Sequence, residues 1–159
     1  MSFSGIISLN HNDPMLLLMK YVPYNFYITS KYMVLGSLKY HKIKNESETL
    51  HILYRGSLPL DIFESFDNFC LLNQKLSGRE YCMVIIKCMG DIPKEVYLST
   101  DEYGNKTLNF HVSKNKVLFT TCNGYESMPA GYYMKITLNE NLEVEKQLFS
   151  QYSNEEINN

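Results

Sequence analysis

The sequence predicts a mainly β fold, and three observations carry that expectation. Its 13 Tyr and 8 Phe, with no Trp, favour pleated, half-buried surfaces. Apolar residues alternate with a period of two over several stretches. Clusters of Gly, Pro, Asn and Asp separate those stretches at short intervals. With 159 residues, a single domain is the default. It is expected to span residues 1–150, followed by a frayed polar tail at 151–159. A chain of this length buries a sizeable core without disulfides or metals.

Taken in order, residues 1–14 read as an irregular lead-in closed by Asp13-Pro14. Met15 to Tyr21 is apolar on both faces, and Pro23 ends it. Asn25 to Thr29 and Lys31 to Ile43 read as strands, with Gly36 marking a bulge or bend in the second. Thr49 to Tyr54 alternates again, with Leu50, Ile52 and Tyr54 on one face. The period then changes. Leu60, Phe63, Phe66 and Phe69 recur at a spacing of three, which predicts a helix from Pro59 to Cys70 with Ser57 as a candidate N-cap.

Arg79 to Met89 is the strongest strand. Cys82, Val84, Ile86 and Cys88 share one face and Tyr81, Met83 and Ile85 the other. Apolar residues on both faces predict a central strand. Val96 to Ser99 is a short strand, and Asp101 to Asn105 a turn around Gly104. Thr107 to Val112 and Lys116 to Cys122 form a hairpin. Tyr132 to Leu138 and Leu142 to Phe149 form a second one.

Net charge is −2, which argues against a general polyanion binder. Only two arginines, Arg55 and Arg79, occur. Arginine is the preferred bidentate partner of phosphate, so their scarcity argues against a phosphate-handling enzyme. No basic, apolar leader opens the chain, and Met15 to Met19 is too short to span a bilayer. An intracellular location, cytoplasmic or nuclear, is therefore expected, with no membrane partner and with thiols at Cys70, Cys82, Cys88 and Cys122.

The spacings point to no metal site: Cys82 and Cys88 would lie roughly 20 Å apart on a strand. Phosphate-loop and dinucleotide motifs are absent from the sequence, and no cofactor is implied. Cys122, at a strand end before Asn123-Gly124, and His111, in a lone His-x-Ser, are the weak catalytic candidates. No catalytic residue is assigned, and the chain is expected not to be an enzyme.

One constellation carries more weight. From Lys20 to Lys44 lysines interleave with aromatics, the composition of a basic groove on which bases stack. Lys31, Tyr32, Lys39, Tyr40, Lys42 and Lys44 are the candidate nucleic-acid-binding residues. The opposing explanation is that the aromatics fill a core while the lysines protect a strand edge.

The order of three strands, helix and two strands over residues 24–112 resembles the OB-fold, a β-barrel with its helix between strands three and four. It is similar to the small OB-fold subunits of single-strand-binding and telomere-capping complexes. The hairpins of residues 116–149 are extra to that pattern, and a β-sandwich is the alternative. The resemblance implies a non-enzymatic binding module, a small subunit of a multiprotein complex with a protein partner and possible single-stranded nucleic-acid contact. The alternative is a protein-binding inhibitor, such as an immunity or viral host-interaction protein.

Overall fold

The computed structural model describes residues 3–9, 26–28, 32–36, 39–59, 61, 69–90, 92–113 and 115–151. Their strands form two six-stranded antiparallel sheets. The first contains β1 (Phe3–Ser8), β2 (Phe26–Ile28), β3 (Tyr32–Gly36), β8 (Asn109–Ser113), β9 (Lys116–Thr120) and β10 (Glu126–Ser127), in the order β10-β8-β9-β1-β3-β2. The second contains β4 (Lys39–Lys44), β5 (Glu48–Gly56), β6 (Tyr81–Met89), β7 (Ile92–Thr100), β11 (Tyr132–Leu138) and β12 (Val144–Ser150), in the order β12-β11-β7-β6-β5-β4. One short helix, α1 (Phe69–Lys75), lies between β5 and β6 in the chain.

The fold is thus mainly β with a short helix, but no closed barrel forms among the described residues. Two sheets face each other instead. Ile7, Phe110, Val117 and Phe119 of the first sheet meet Leu53, Val84, Ile86, Val96, Leu98 and Ile136 of the second in one buried cluster. The alternation in β6 explains why both faces of the second sheet are covered. Cys82, Val84, Ile86 and Cys88 turn towards the first sheet. Tyr81, Met83 and Ile85 turn outward, where Leu72 of α1 and Leu76 just beyond it cover them.

Several elements differ from their expected form. The lead-in contains β1, paired on one side with β3 and on the other with β9. The expected strand from Lys31 to Ile43 is two strands in different sheets, because the chain leaves the first sheet after Gly36 and enters the second at Lys39. The short strand at Val96 extends back to Ile92, since the β6–β7 hairpin carries its pairing past a register shift at Lys87/Cys88. The helix expected over 59–70 falls mostly outside the described residues, as do Phe63 and Phe66; α1 begins at Phe69. Gln151 is buried. Its backbone N–H donates to Gly131 O and its side chain to Thr100 O. Residues 152–159 lie outside the description.

No helix of the described residues is long and apolar enough to cross a membrane.

Candidate functional site

The segment from Asp101 to Leu108 leaves the second sheet at the end of β7 and enters the first at the start of β8. Its conformation follows from one carboxylate. Asp101 is fully buried and accepts backbone N–H bonds from Tyr81 at 3.2 Å, Tyr103 at 3.0 Å, Asn105 at 3.1 Å and Lys106 at 3.2 Å. Burial works to raise the Asp101 pKa, but the N–H groups outweigh it and hold the carboxyl below its ordinary value. Gly104, at φ 71°, supplies the left-handed turn that wraps the loop around this anion.

This crossover gathers the polar groups of both sheets at one end of the sandwich. In the second sheet, Arg55 pairs with Cys82 and Cys82 with Thr100. In the first, Asn109 pairs with Thr120 and Thr120 with Ser4. The Ser4 and Thr120 hydroxyls are 2.7 Å apart, and Thr120 Oγ1 also accepts the Cys122 N–H. Asn109 donates through Nδ2 to Cys122 O at 2.7 Å and accepts from Ser127 Oγ at 2.8 Å. Behind this end, Asn73 of α1 accepts from both the Tyr81 and Ser99 hydroxyls at 3.0 Å.

A cleft of about 340 Å³ opens here, lined by Gly56, Ser57, Arg79, Glu80 and Lys106. Its residues come from the end of β5, the approach to β6 and the crossover loop. Gly56 is required in its wall: at φ 113°, a Cβ would stand 2.2 Å from the Glu80 carbonyl oxygen. Arg79 reaches Ser57 O at 3.5 Å, and Lys39 Nζ donates to Gly56 O at 3.1 Å from outside. Cys82 lies below, fully buried. Burial pushes its thiol pKa up to about 11, against an opposing pull from Arg55 and Lys106.

The residues singled out for nucleic acid are placed differently. β4 is an edge strand. Along it the side chains alternate, so Tyr40 packs towards the inter-sheet core and Ile43 towards the outer cluster. Lys42 and Lys44 fall on the Tyr40 face and Lys39 on the other. Lys39, Lys42 and Lys44 are exposed. Tyr40 donates or accepts at His51 Nδ1, 2.6 Å away, and stacks on that ring. Lys39 Nζ is 5.9 Å from the Tyr54 ring centre. Lys31 and the Tyr32 side chain lie outside the description.

Among the described residues, no group of three or more His, Cys, Asp or Glu is arranged to hold a metal ion. His111 is exposed on β8 with its ring 6.5 Å from that of Tyr125. Cys122 is exposed. The sequence carries no signal for the cleft itself, because its lining comes from three separate turns with no common spacing.

No family model matches the chain, and no curated protein matches it. Among solved structures it is similar to the allosteric regulatory enzyme of purine biosynthesis, with 10% identity and a TM-score of 0.48. It is also similar to glutamine phosphoribosylpyrophosphate amidotransferase from B. subtilis in complex with ADP and GMP, with 10% identity and a TM-score of 0.46. Each match covers 97% of this chain and 43% or 44% of the other, so the chain spans less than half their length. A likeness of this degree assigns no residue a role.

The expectation of a non-enzymatic binding module, with the protein-binding inhibitor as its alternative, is nevertheless corrected, as is the expectation that the chain is not an enzyme. The solved structures named are those of enzymes. The element order that resembles an OB-fold does not close into a barrel among the described residues either.

Proposed function

We propose that this chain is a small-molecule-handling domain of an enzyme, with its site in the cleft at the crossover end of the sandwich. The observation that carries the reading is the convergence of Arg79, Glu80 and Lys106 on one concavity of about 340 Å³. Ligand sites are commonly concave, about 300–1,000 Å³ in volume, with a few placed polar groups. Glu80 supplies a carboxylate that can accept a proton or a ligand hydroxyl. Arg79 and Lys106 supply positive charge for a group that is, or becomes, negative. The loop that presents Lys106 is fixed through its backbone N–H by Asp101, so the point from which that side chain reaches the cleft is set in advance of binding.

The test is amide-resolved NMR titration of the intact chain with L-glutamine, glucose and glucose 6-phosphate. L-Glutamine enters as the amide in the name of the similar amidotransferase. The reading expects at least one of these compounds, at millimolar concentration, to move the amides of Gly56, Ser57, Glu80 and Lys106 together. Silence at all four with every compound defeats it.

A further inference from the structure

The chain has two arginines, and both lie at the crossover end of the second sheet. Arg79 lines the cleft, and Arg55 immediately precedes Gly56 in its wall. Lys106 lines the cleft from the other side. None of these three takes part in an ion pair among the described residues. Ion pairs found among the described residues lie elsewhere, as with Lys87 to Glu48 and Glu95, and Lys135 to Glu95. The Glu80, Asp101 and Glu102 carboxylates stand on the same segments and balance the net charge, so the attraction for an anion is local and comes from cations that stand outside any ion pair at one concavity. A guanidinium offers a planar fork of donors to phosphate oxygens, and an ammonium adds a point charge. Among the described residues, Glu80 is the one carboxylate in the lining. It suits a neighbouring hydroxyl rather than the anion itself.

We propose that the cleft binds the phosphate group of a small, hydroxyl-bearing phosphate monoester, held by Arg79 and Lys106, with Glu80 accepting from a ligand hydroxyl. The proposal rests on the reading of this cleft as the small-molecule site. Arg55 adds to the positive field, and its proximity agrees with the pull that it and Lys106 exert on Cys82. Two arginines in the whole chain do not argue against phosphate when both stand at one cleft: placement decides, not number.

Glucose and glucose 6-phosphate separate the two claims, because they differ only in the phosphate. Isothermal titration at low ionic strength is expected to show binding of glucose 6-phosphate and at least tenfold weaker binding of glucose. Arg79→Ala and Lys106→Gln should each weaken glucose 6-phosphate binding about tenfold, and added salt should weaken it further. Arg79 is exposed, and the structural bond of Lys106 is made by its backbone N–H, so both variants should melt as the parent does. Equal binding of the two sugars overturns the phosphate proposal while leaving the cleft as a site. Binding that survives both substitutions places the phosphate elsewhere and also overturns it. Absence of binding by either sugar overturns it as well, and if L-glutamine too leaves the cleft amides unmoved, the site falls with it.

Discussion

The Phe119 ring lies directly over Gly5 of the neighbouring strand: a Cβ built at Gly5 would stand 2.1 Å from the ring's Cζ. Gly5 is buried and Phe119 is fully enclosed in the inter-sheet core. The glycine is there because the ring needs its space, since interiors close-packed to this degree have no slack for a methyl group. Gly5→Ala should lower stability by about 1–3 kcal/mol, the usual cost of overpacking. Chemical denaturation would measure it. Adding Phe119→Leu to Gly5→Ala should recover part of that loss, although Phe119→Leu alone is destabilising. Strict additivity of the two changes would show that the ring and the glycine do not compete for the same volume.

Asp101 makes a second prediction, which depends on pH. Its carboxylate gathers four backbone N–H groups, and Asp101→Ala leaves them without it. The expected loss is about 2–4 kcal/mol, since buried donors without acceptors are costly. The folded-state pKa is lowered. The stabilisation is therefore fully present above the unfolded-state value and is lost as pH falls through the folded one. The stability gap between parent and Asp101→Asn should be widest near neutrality and should close in acid. A gap that stays constant from neutral to acid pH would mean that ionised Asp101 contributes nothing.

The thiols divide by burial. Cys82 and Cys88 are almost completely enclosed and Cys122 is exposed. Thiolate is the reacting species, and Cys82 is doubly protected by its enclosure and its pKa of about 11. A short iodoacetamide pulse on the native protein at mildly alkaline pH, read by peptide mass spectrometry, should mark Cys122 and leave Cys82 and Cys88 unmodified until denaturant is added. Native labelling of Cys82 at the rate of Cys122 would contradict the packing of β6.

Asn73 ties the helix to the sheet. Its Oδ1 accepts from hydroxyls on β6 and β7 at once, and the residue is buried. Asn73→Ala removes the shared acceptor of both hydroxyls and should cost about 1–3 kcal/mol. Tyr81→Phe made in that background should cost less than it does in the parent. A double-mutant cycle measures the coupling, and a coupling of zero would remove Asn73 from the network.

Much of the second sheet was legible because its strands alternate cleanly. The two faces of β6 follow from the order Tyr81, Cys82, Met83, Val84 alone, and both are buried as that pattern requires. β1 was not legible, since Ser4 and Gly5 interrupt its apolar run and its partners are distant. The run from Lys31 to Ile43 looked continuous because period-two alternation does not reveal a change of sheet. The cleft was illegible for a related reason. Gly56, Arg79 and Lys106 are more than twenty positions apart in sequence, and what unites them is a loop wound around Asp101.

The place of β1 also dictates an order of assembly. Its Ser4 hydroxyl meets Thr120 across 116 positions of chain, whereas β4, β5, β6 and β7 are consecutive in sequence and adjacent in the sheet, β5 and β6 being joined through α1. Loops close more slowly as the contacts they bring together lie further apart in sequence. The β4–β7 meander can therefore form while the first sheet is still waiting for its centre. On the ribosome, β1 emerges before β9 and gains that neighbour only after Thr120 has been made, and throughout that interval one of its edges is open to other chains.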